Sequence, residues 1–162
     1  MREGQPTRRH VVNERNPMKP ALSLLALLLL AASPAAADPP PPGTPQPRPT
    51  SIHLAPGKTS AKVSGAVLRA DRDLYSLGAK AGQKMTVTIK AVEDNAVFQI
   101  YEPGAEPYRD ADDMVGVNGK PLPGAEGDTS HWTGSLPITG TYLIKVGGTR
   151  GNATYELTVS IE

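Results

Sequence analysis

Apolar and polar side chains alternate strictly in three segments of this chain, and that alternation limits the fold more than any other feature. In QKMTVTIK, the apolar residues Met85, Val87 and Ile89 fall on one face and polar residues fall on the other. The same period of two runs through TYLIKV at 141–146 and TYELTVSI at 154–161. A period of two places side chains alternately on the two faces of an extended strand, whereas an amphipathic helix has a period of about 3.6. The three segments are therefore predicted to be strands with one buried face.

Four further segments show the same period less regularly and are also predicted to be strands. Their ranges are 60–68, 73–79, 95–102 and 130–136. Turn sequences that contain glycine or proline, such as KAGQ, PITG and GGTRGN, separate most of these short segments. Many short strands joined by turns are typical of two packed sheets. We predict an all-β fold, a single antiparallel β-sandwich of about seven or eight strands.

The N-terminal region has the pattern of an export signal. Lys19 is followed by an apolar run at 21–32 and by three alanines that end at Ala37, small side chains of the kind that signal peptidase accepts. A membrane anchor is the alternative, but the run is shorter than the roughly 20 residues that span a bilayer. We expect a signal peptide at 18–37, a non-native upstream extension at 1–17, and a periplasmic or secreted protein that does not contact the membrane in its mature form.

The residues after the expected cleavage site are rich in proline. This composition favours extended polyproline II over a packed core, so a linker is predicted at 38–49 and a single β-sandwich domain at 50–162. The chain contains no cysteine, and the fold must therefore be held by its core without disulfides.

The charge of the predicted mature chain excludes two classes of partner. From residue 38 onward there are 12 basic and 14 acidic side chains, which gives a net charge of −2. A mildly acidic protein lacks the general basic character that nucleic acid or an anionic membrane would require. No nucleic-acid partner is expected, and the sequence does not indicate an oligomeric state.

One predicted connection is much longer than the others. It runs from 102 to 130 and contains seven acidic residues against two basic ones. Loops longer than about 12 to 15 residues are usually functional or disordered, so we expect a solvated excursion or, alternatively, a binding loop. The DADD sequence at 110–113 lacks the spaced ligands, the turn glycine and the closing glutamate of a calcium loop. Neither a metal nor any other cofactor is predicted.

Few residues in the chain could carry catalysis. His53 and His131 are the only histidines after position 37. Ser130 cannot use its neighbour His131 as a base, because adjacent strand residues point to opposite faces. The chain is therefore predicted not to be an enzyme. Trp132, the only tryptophan, is expected in the core, with an exposed ring that contacts a sugar or a partner as the alternative.

Four stretches of the chain resemble a known family. They are GKTSAKVSG at 57–65, DLYSLGAKAGQKMTVTI at 73–89, GSLPITGTYLIKV at 134–146 and TRGNATYELTVSI at 149–161. Their order and spacing resemble the bacterial periplasmic inhibitors of goose-type (g-type) lysozyme and, more broadly, the pre-peptidase C-terminal domains, which are small β-sandwiches. The most specific elements are AKAGQK, the LP-x-TG-x-Y turn and the TR of the last loop.

The resemblance implies a binding role for one end of the sandwich. In that family, arginines on the loop between the last two strands and a tyrosine on an earlier loop enter the active-site cleft of the lysozyme. Thr149 and Arg150 match the TR of this loop. Arg150 is therefore expected at the loop tip, where a guanidinium can pair with a carboxylate through two hydrogen bonds.

The chain departs from the family at two positions, and its sequence is consistent with two hypotheses on its function. Thr154 stands where a second arginine is expected and Ala70 where the tyrosine is expected, so Arg69 and Arg72 are predicted to supply the lost contacts. The first hypothesis is that the protein is an exported inhibitor of g-type lysozyme or of a related cell-wall hydrolase. The alternative is a non-inhibitory module that binds glycan or peptidoglycan, or that has a structural role in the cell envelope.

Overall fold

The structure, a computed structural model, describes residues 45–162. The predicted signal peptide, the upstream extension and residues 38–44 of the predicted linker lie outside the described residues. Within them, no helix is long and apolar enough to cross a membrane. The described strands are β1 (Thr50–Ser51), β2 (Ser60–Val67), β3 (Arg72–Ala79), β4 (Lys84–Ala91), β5 (Ala96–Tyr101), β6 (Glu106–Arg109), β7 (Val115–Asn118), β8 (His131–Ser135), β9 (Gly140–Gly148) and β10 (Ala153–Ile161).

Eight of these strands form the two four-stranded sheets of a β-sandwich. The first sheet has the order β1-β3-β9-β5 and the second has the order β2-β10-β4-β8. Within both sheets the pairs are antiparallel, except that β1 runs parallel to β3. The strands β6 and β7 form a separate antiparallel pair. The prediction of an all-β sandwich is confirmed.

Successive strands of the sandwich belong to opposite sheets. From β2 to β5, and again from β8 to β10, the chain crosses from one sheet to the other at every connection. Each of these connections is therefore a corner between the two layers and not a hairpin. An inner strand of the first sheet, β9, is followed in the chain by an inner strand of the second, β10, so the loop between them bridges the layers.

The core lies where the alternating apolar faces of the two sheets meet. Met85, Val87 and Ile89 of β4 are buried there, and Leu157 and Val159 of β10 lie beside them across the strand pair. The three regular segments have the buried faces that their period of two predicts, and the four less regular segments form β2, β3, β5 and β8. Burial of each large apolar side chain stabilises the fold by about 1.5 to 3 kcal/mol.

Trp132 is part of this core. Its side chain is 7% exposed, and its indole Nε1 donates a hydrogen bond of 2.9 Å to the carbonyl of Pro123. The ring covers Gly134, where an added Cβ would lie 2.6 Å from a ring carbon. The alternative prediction of an exposed ring that contacts a sugar or a partner is therefore wrong.

The connection 102–130 is structured, which corrects the expectation of a solvated excursion. Besides the β6–β7 pair, it contains Leu122, which is 1% exposed in the main core. Leu122 N donates to Ile100 O at 2.8 Å, and Phe98 and Thr129 exchange backbone hydrogen bonds. The segment thus covers the outer edge of β5, as exposed sheet edges usually require. The apolar residues of this segment stand singly among prolines and glycines and follow neither the strand period nor the helix period. The sequence pattern therefore could not predict their packing.

The DADD sequence forms a local turn. Asp110 Oδ1 accepts hydrogen bonds from the backbone N–H groups of Asp112 (3.0 Å) and Met114 (2.9 Å). Arg109 donates to the carbonyl of Asp113 at 2.8 Å and lies 3.3 Å from its carboxylate. These bonds hold the side chains of Asp110 and Asp113 within the turn. Residues 45–162 contain no group of three or more His, Cys, Asp or Glu side chains that could hold a metal.

Candidate functional site: a groove lined by arginines

Three inter-sheet loops lie together at one end of the sandwich, which we call the arginine end. They are the β2–β3 loop (68–71), the β4–β5 loop (92–95) and the β9–β10 loop (149–152). The strand register brings them together, because Val67 pairs with Ala153 and Ala96 pairs with Gly148. Each loop has four residues and therefore stays close to the strand ends that carry it.

Asn95 fixes the β9–β10 loop from beneath. Its side chain is 2% exposed, and its Nδ2 donates to the carbonyls of Arg150 (3.1 Å) and Asn152 (2.9 Å). The carbonyl of Asn95 accepts the backbone N–H of Thr149 at 2.9 Å. Gly151 takes a φ of +62°, a left-handed conformation that glycine adopts without strain. One buried amide thus holds the loop in a defined conformation.

The same hydrogen-bond network continues into the β2–β3 loop. Asn152 Oδ1 accepts the backbone N–H of Arg69 at 2.9 Å. The next residue, Ala70, has a φ of 68°, which costs a residue with a Cβ about 1 to 2 kcal/mol. Backbone strain of this kind persists only where surrounding contacts hold it. The three loops at the arginine end are therefore connected as one unit.

Arg150 is exposed on the β9–β10 loop, as predicted, but it is not isolated from the fold. Its Nη2 donates a hydrogen bond of 2.9 Å to the carbonyl of Glu93 in the β4–β5 loop. A guanidinium has five N–H donors. One bond to the loop therefore orients the group and still allows it to bind a carboxylate.

Arg72 is half-buried against β9. Its Nη1 donates to the carbonyl of Asp71 at 2.6 Å, and the side chain crosses its register partner Gly147. A Cβ added at Gly147 would lie 2.7 Å from Arg72 Cδ and Nε. Glycine at this position is what allows the arginine to lie flat on the sheet.

These side chains line one open depression of about 510 Å³, which we call the arginine groove. Its walls are Arg69, Ala70, Arg72, Gly148, Thr149, Arg150 and Gly151. The structure thus brings together all four residues that were predicted to bind a partner. Among the described residues that line the groove none is acidic and three are arginines, whereas the acidic residues of the same loops, Asp71, Glu93 and Asp94, do not line it.

Two apolar side chains project from the same loops, and the sequence pattern did not single them out. Leu68 is 63% exposed and Val92 is 91% exposed. Exposed apolar groups beside arginines are typical of protein contact surfaces. Asn95 was also missed, and the only local signal is an asparagine directly before a strand, which recurs at Asn152.

Lys145 extends the positive charge along the outer face of the first sheet. Its Nζ lies 5.7 Å from the centroid of the Tyr101 ring. Burial lowers the pKa of Lys145, and the neighbouring charge of Arg72 lowers this pKa further, whereas Asp128 acts in the opposite direction. Lys145 and Arg72 line a small cavity of about 20 Å³ next to the groove.

A solved structure is similar to the chain in sequence as well as in fold. Aeromonas hydrophila PliG, a periplasmic lysozyme inhibitor of g-type lysozyme, is 32% identical over 70% of this chain and 95% of its own length, with a TM-score of 0.52. The chain belongs to the PliG family. PliG of Salmonella Typhimurium is 25% identical over 72% of this chain and 100% of its own length, with a TM-score of 0.49.

The pre-peptidase C-terminal domain of a Bacillus anthracis collagenase is 14% identical over 73% of this chain and 97% of its own length, with a TM-score of 0.43. No family model and no curated protein sequence matches the chain. The resemblance to the PliG inhibitors that the four sequence stretches predicted is confirmed. PliG of Aeromonas hydrophila is an inhibitor, which supports the prediction that the chain is not an enzyme.

Two of the sequence elements most specific to the PliG resemblance lie at the other end of the sandwich. This turn end comprises the β3–β4 loop (80–83) and the β8–β9 loop (136–139). Ala81 N donates to Thr139 Oγ1 at 3.0 Å, and the hydroxyl of Tyr142 donates to a carbonyl of the β8–β9 loop at 2.6 Å. AKAGQK and LP-x-TG-x-Y therefore join two turns and do not contribute to the arginine groove.

Proposed function

We propose that this protein inhibits a g-type lysozyme, or a related cell-wall hydrolase, by placing the arginine end in the active-site cleft of the enzyme. The observation that carries the proposal is the convergence of Arg69, Arg72 and Arg150 on one groove without acidic walls. Membership of the PliG family supports the class of target, because the PliG relatives are inhibitors of g-type lysozyme.

The chemistry of the groove suits the cleft of a glycoside hydrolase. Such enzymes generally work with acidic residues that flank the bond to be cleaved. A guanidinium pairs with a carboxylate in a bidentate, charge-assisted contact, which would neutralise the carboxylate and occupy the space of the sugar. Arg150 is the best placed of the three, since it is exposed on the loop that bridges the sheets.

The rigidity of the arginine end favours tight binding. Association costs free energy for every loop and side chain that must be ordered. Here the loop is already held by Asn95, and the guanidinium of Arg150 already rests on the carbonyl of Glu93. The exposed side chains of Leu68 and Val92 would add apolar contact around the charged centre.

The expected place of action is the periplasm or the extracellular space. The signal-peptide pattern at 18–37 supports export, and the PliG relatives are periplasmic. An exposed Trp132 ring would have favoured the alternative of a glycan-binding or structural module, but Trp132 is buried in the core.

The test is inhibition of a g-type lysozyme in a cell-lysis assay by the exported, purified protein and its Arg150→Ala variant. If Arg150 pairs with a desolvated carboxylate, its loss weakens inhibition by about 2 kcal/mol, roughly thirtyfold in affinity. The melting temperature changes little, because the side chain is exposed. Lys80→Ala, which removes one positive charge at the turn end, is the matched control and is expected to inhibit like the wild type.

Two results would contradict the proposal. If the wild-type protein did not slow lysis by g-type lysozyme at any concentration tested, the inhibitor function would be wrong. If Arg150→Ala and Lys80→Ala both inhibited as strongly as the wild type, the protein would be an inhibitor that uses another surface.

A further inference from the structure

A second cluster of arginines surrounds a smaller cavity next to the arginine groove. Arg48 lies in the segment before β1, Arg72 begins β3 and Arg109 ends β6, and all three line a cavity of about 180 Å³. We call it the hairpin cavity, because Arg109 and Val115 belong to the β6–β7 hairpin. Arg72 also lines the arginine groove, so the two sites share this side chain.

The charges around the hairpin cavity are unbalanced. Asp73 is the only acidic side chain among the described residues that line it. Its carboxylate accepts a hydrogen bond of 2.5 Å from the hydroxyl of Tyr155, which is in turn 2.7 Å from the hydroxyl of Tyr75. Asp73 is thus bonded to the buried tyrosine pair. Three neighbouring positive charges raise one another's energy, and an anion between them lowers it.

Two of the three arginines are already held in place. Arg72 Nη1 donates to the carbonyl of Asp71 at 2.6 Å, and Arg109 Nη1 donates to the carbonyl of Asp113 at 2.8 Å and lies 3.3 Å from the exposed carboxylate of the same residue. Each guanidinium has five donors, so one such bond orients the group without exhausting it. Side chains that are oriented before binding lose less entropy when a ligand arrives.

The volume of the cavity limits what could enter it. A water molecule occupies about 30 Å³ of the liquid, and pockets for drug-sized ligands begin near 300 Å³. A space of about 180 Å³ lies between these values. It suits one small charged group with a few waters.

We propose that the hairpin cavity binds a single oxyanion group, a carboxylate or a phosphate, between Arg48, Arg72 and Arg109. Both groups present oxygens at the spacing that a guanidinium fork contacts in pairs. The site is a binding site additional to the arginine groove. It stands on its own lining residues and does not depend on lysozyme inhibition.

The test is an NMR titration of the exported, ¹⁵N-labelled protein with inorganic phosphate in one arm and sodium acetate in the other. Sodium chloride keeps the ionic strength constant in both arms. We expect saturable shifts of the amides at 72–75 and 109–115, and the arm with the lower Kd identifies the preferred group. Arg48→Gln and Arg109→Gln should each weaken binding by roughly tenfold, which is the size of one charge-assisted contact.

Arg69→Gln is the matched control, because Arg69 lines the arginine groove and does not line the hairpin cavity. It should leave the Kd within a factor of about two, as expected for an exposed charge that does not line the cavity. The proposal would be overturned if neither anion gave saturable shifts at the cavity, or if Arg69→Gln weakened binding as much as Arg109→Gln. Amide spectra of the three variants without anion show whether each is folded.

Discussion

The arginine end and the turn end are made of loops of equal length, four residues each, and both ends are tied by hydrogen bonds between loops. At the turn end, two backbone bonds join the loops, from Gly82 N to Leu136 O (2.9 Å) and from Leu136 N to Gln83 O (2.8 Å), and the side chains of Thr139 and Tyr142 add one bond each to a loop. At the arginine end, the side chains of Asn95 and Asn152 provide most of the ties by bonding to backbone groups, and Arg150 adds a bond to the carbonyl of Glu93.

This difference predicts that stability and binding depend on different side chains of the sandwich. A loop that is held through its backbone carbonyls can present any exposed side chain without loss of conformation. A residue whose own side chain makes such a bond, such as Thr139 at the turn end, cannot be exchanged as freely. Substitutions at the turn end are therefore expected to change stability alone, and exposed substitutions at the arginine end are expected to change binding alone.

Asn95→Ala is the one substitution that we expect to change both stability and binding. The substitution leaves the carbonyls of Arg150 and Asn152 without their buried donor, and this should destabilise the protein by about 2 to 3 kcal/mol. Because the β9–β10 loop is also released, inhibition of g-type lysozyme should weaken as well. Urea unfolding and the lysis assay measure the two effects. A variant that lost stability but kept full inhibition would show that loop rigidity does not contribute to binding.

Tyr155→Phe probes the buried polar network beneath the arginine end. The loss of its hydroxyl leaves Asp73 and Tyr75 without a partner and should cost about 1 to 3 kcal/mol. Val67→Ala, a purely apolar change in the neighbouring strand, is the control. A neutral effect of Tyr155→Phe would mean that the hydroxyl network contributes nothing to stability.

The same variant makes a prediction about alkaline pH. Burial raises the pKa of Tyr75 and of Tyr155 above the ordinary value of 10.0. The unfolded chain therefore loses these protons first, so stability is complete below pH 10 and falls as the pH rises further. The decline for Tyr155 should approach about 1.4 kcal/mol per pH unit once the pH is well above 10, and Tyr155→Phe should remove this contribution. Urea unfolding between pH 9 and 11 measures the slope, and equal slopes in both proteins would contradict the assignment.

Tyr142→Phe tests the turn end. The hydroxyl donates to the carbonyl of Ile138 at 2.6 Å and lies 3.3 Å from its N–H, so its removal should cost about 1 to 2 kcal/mol. The melting temperature should fall by roughly 4 to 8 °C per kcal/mol in a domain of this size. Inhibition by the folded variant should match the wild type. A change in affinity would show that the two ends are coupled through the core.

Val92→Ser has the smallest expected effect and tests whether Val92 belongs to the binding surface. Val92 is almost fully exposed, so its replacement should leave the melting temperature unchanged. If its side chain contacts the target, affinity should fall by about 0.5 to 1 kcal/mol, a factor of roughly two to five. Ile138→Ser, an exposed apolar residue at the turn end, is the control. Equal inhibition by both variants would place Val92 outside the interface.

The sandwich could be predicted from the sequence because each strand has one buried face and therefore alternates. The pairing could not be predicted in the same way, since alternation is identical for strands of either sheet, and only the structure shows that successive strands lie in opposite layers. The burial of Leu122 could not be predicted from the sequence pattern either, because it depends on backbone hydrogen bonds to the edge of β5.

The arginine groove was predicted in part. The clustering of Arg69, Arg72 and Arg150 follows from loops that end at the same side of the sandwich, and the resemblance to the inhibitor family pointed to that side. The role of Asn95 could not be inferred, because a buried amide is recognised only through its partners. The contact between Arg150 and the carbonyl of Glu93 joins residues 57 positions apart, and such a bond leaves no local pattern.

The crossing of the chain between layers also determines when the fold can form. In the first sheet β9 lies between β3 and β5, and in the second β10 lies between β2 and β4. Neither sheet can join its earlier strands until the segment Gly140–Ile161, which contains β9 and β10, is in place. Pairings between residues far apart in the chain form slowly, because loop closure must precede the contacts that reward it. Before these residues are synthesised, β2 and β5 have no strand partner in their sheets, and β3 and β4 have only the edge strands β1 and β8, so we expect the native structure to form in one late, cooperative step.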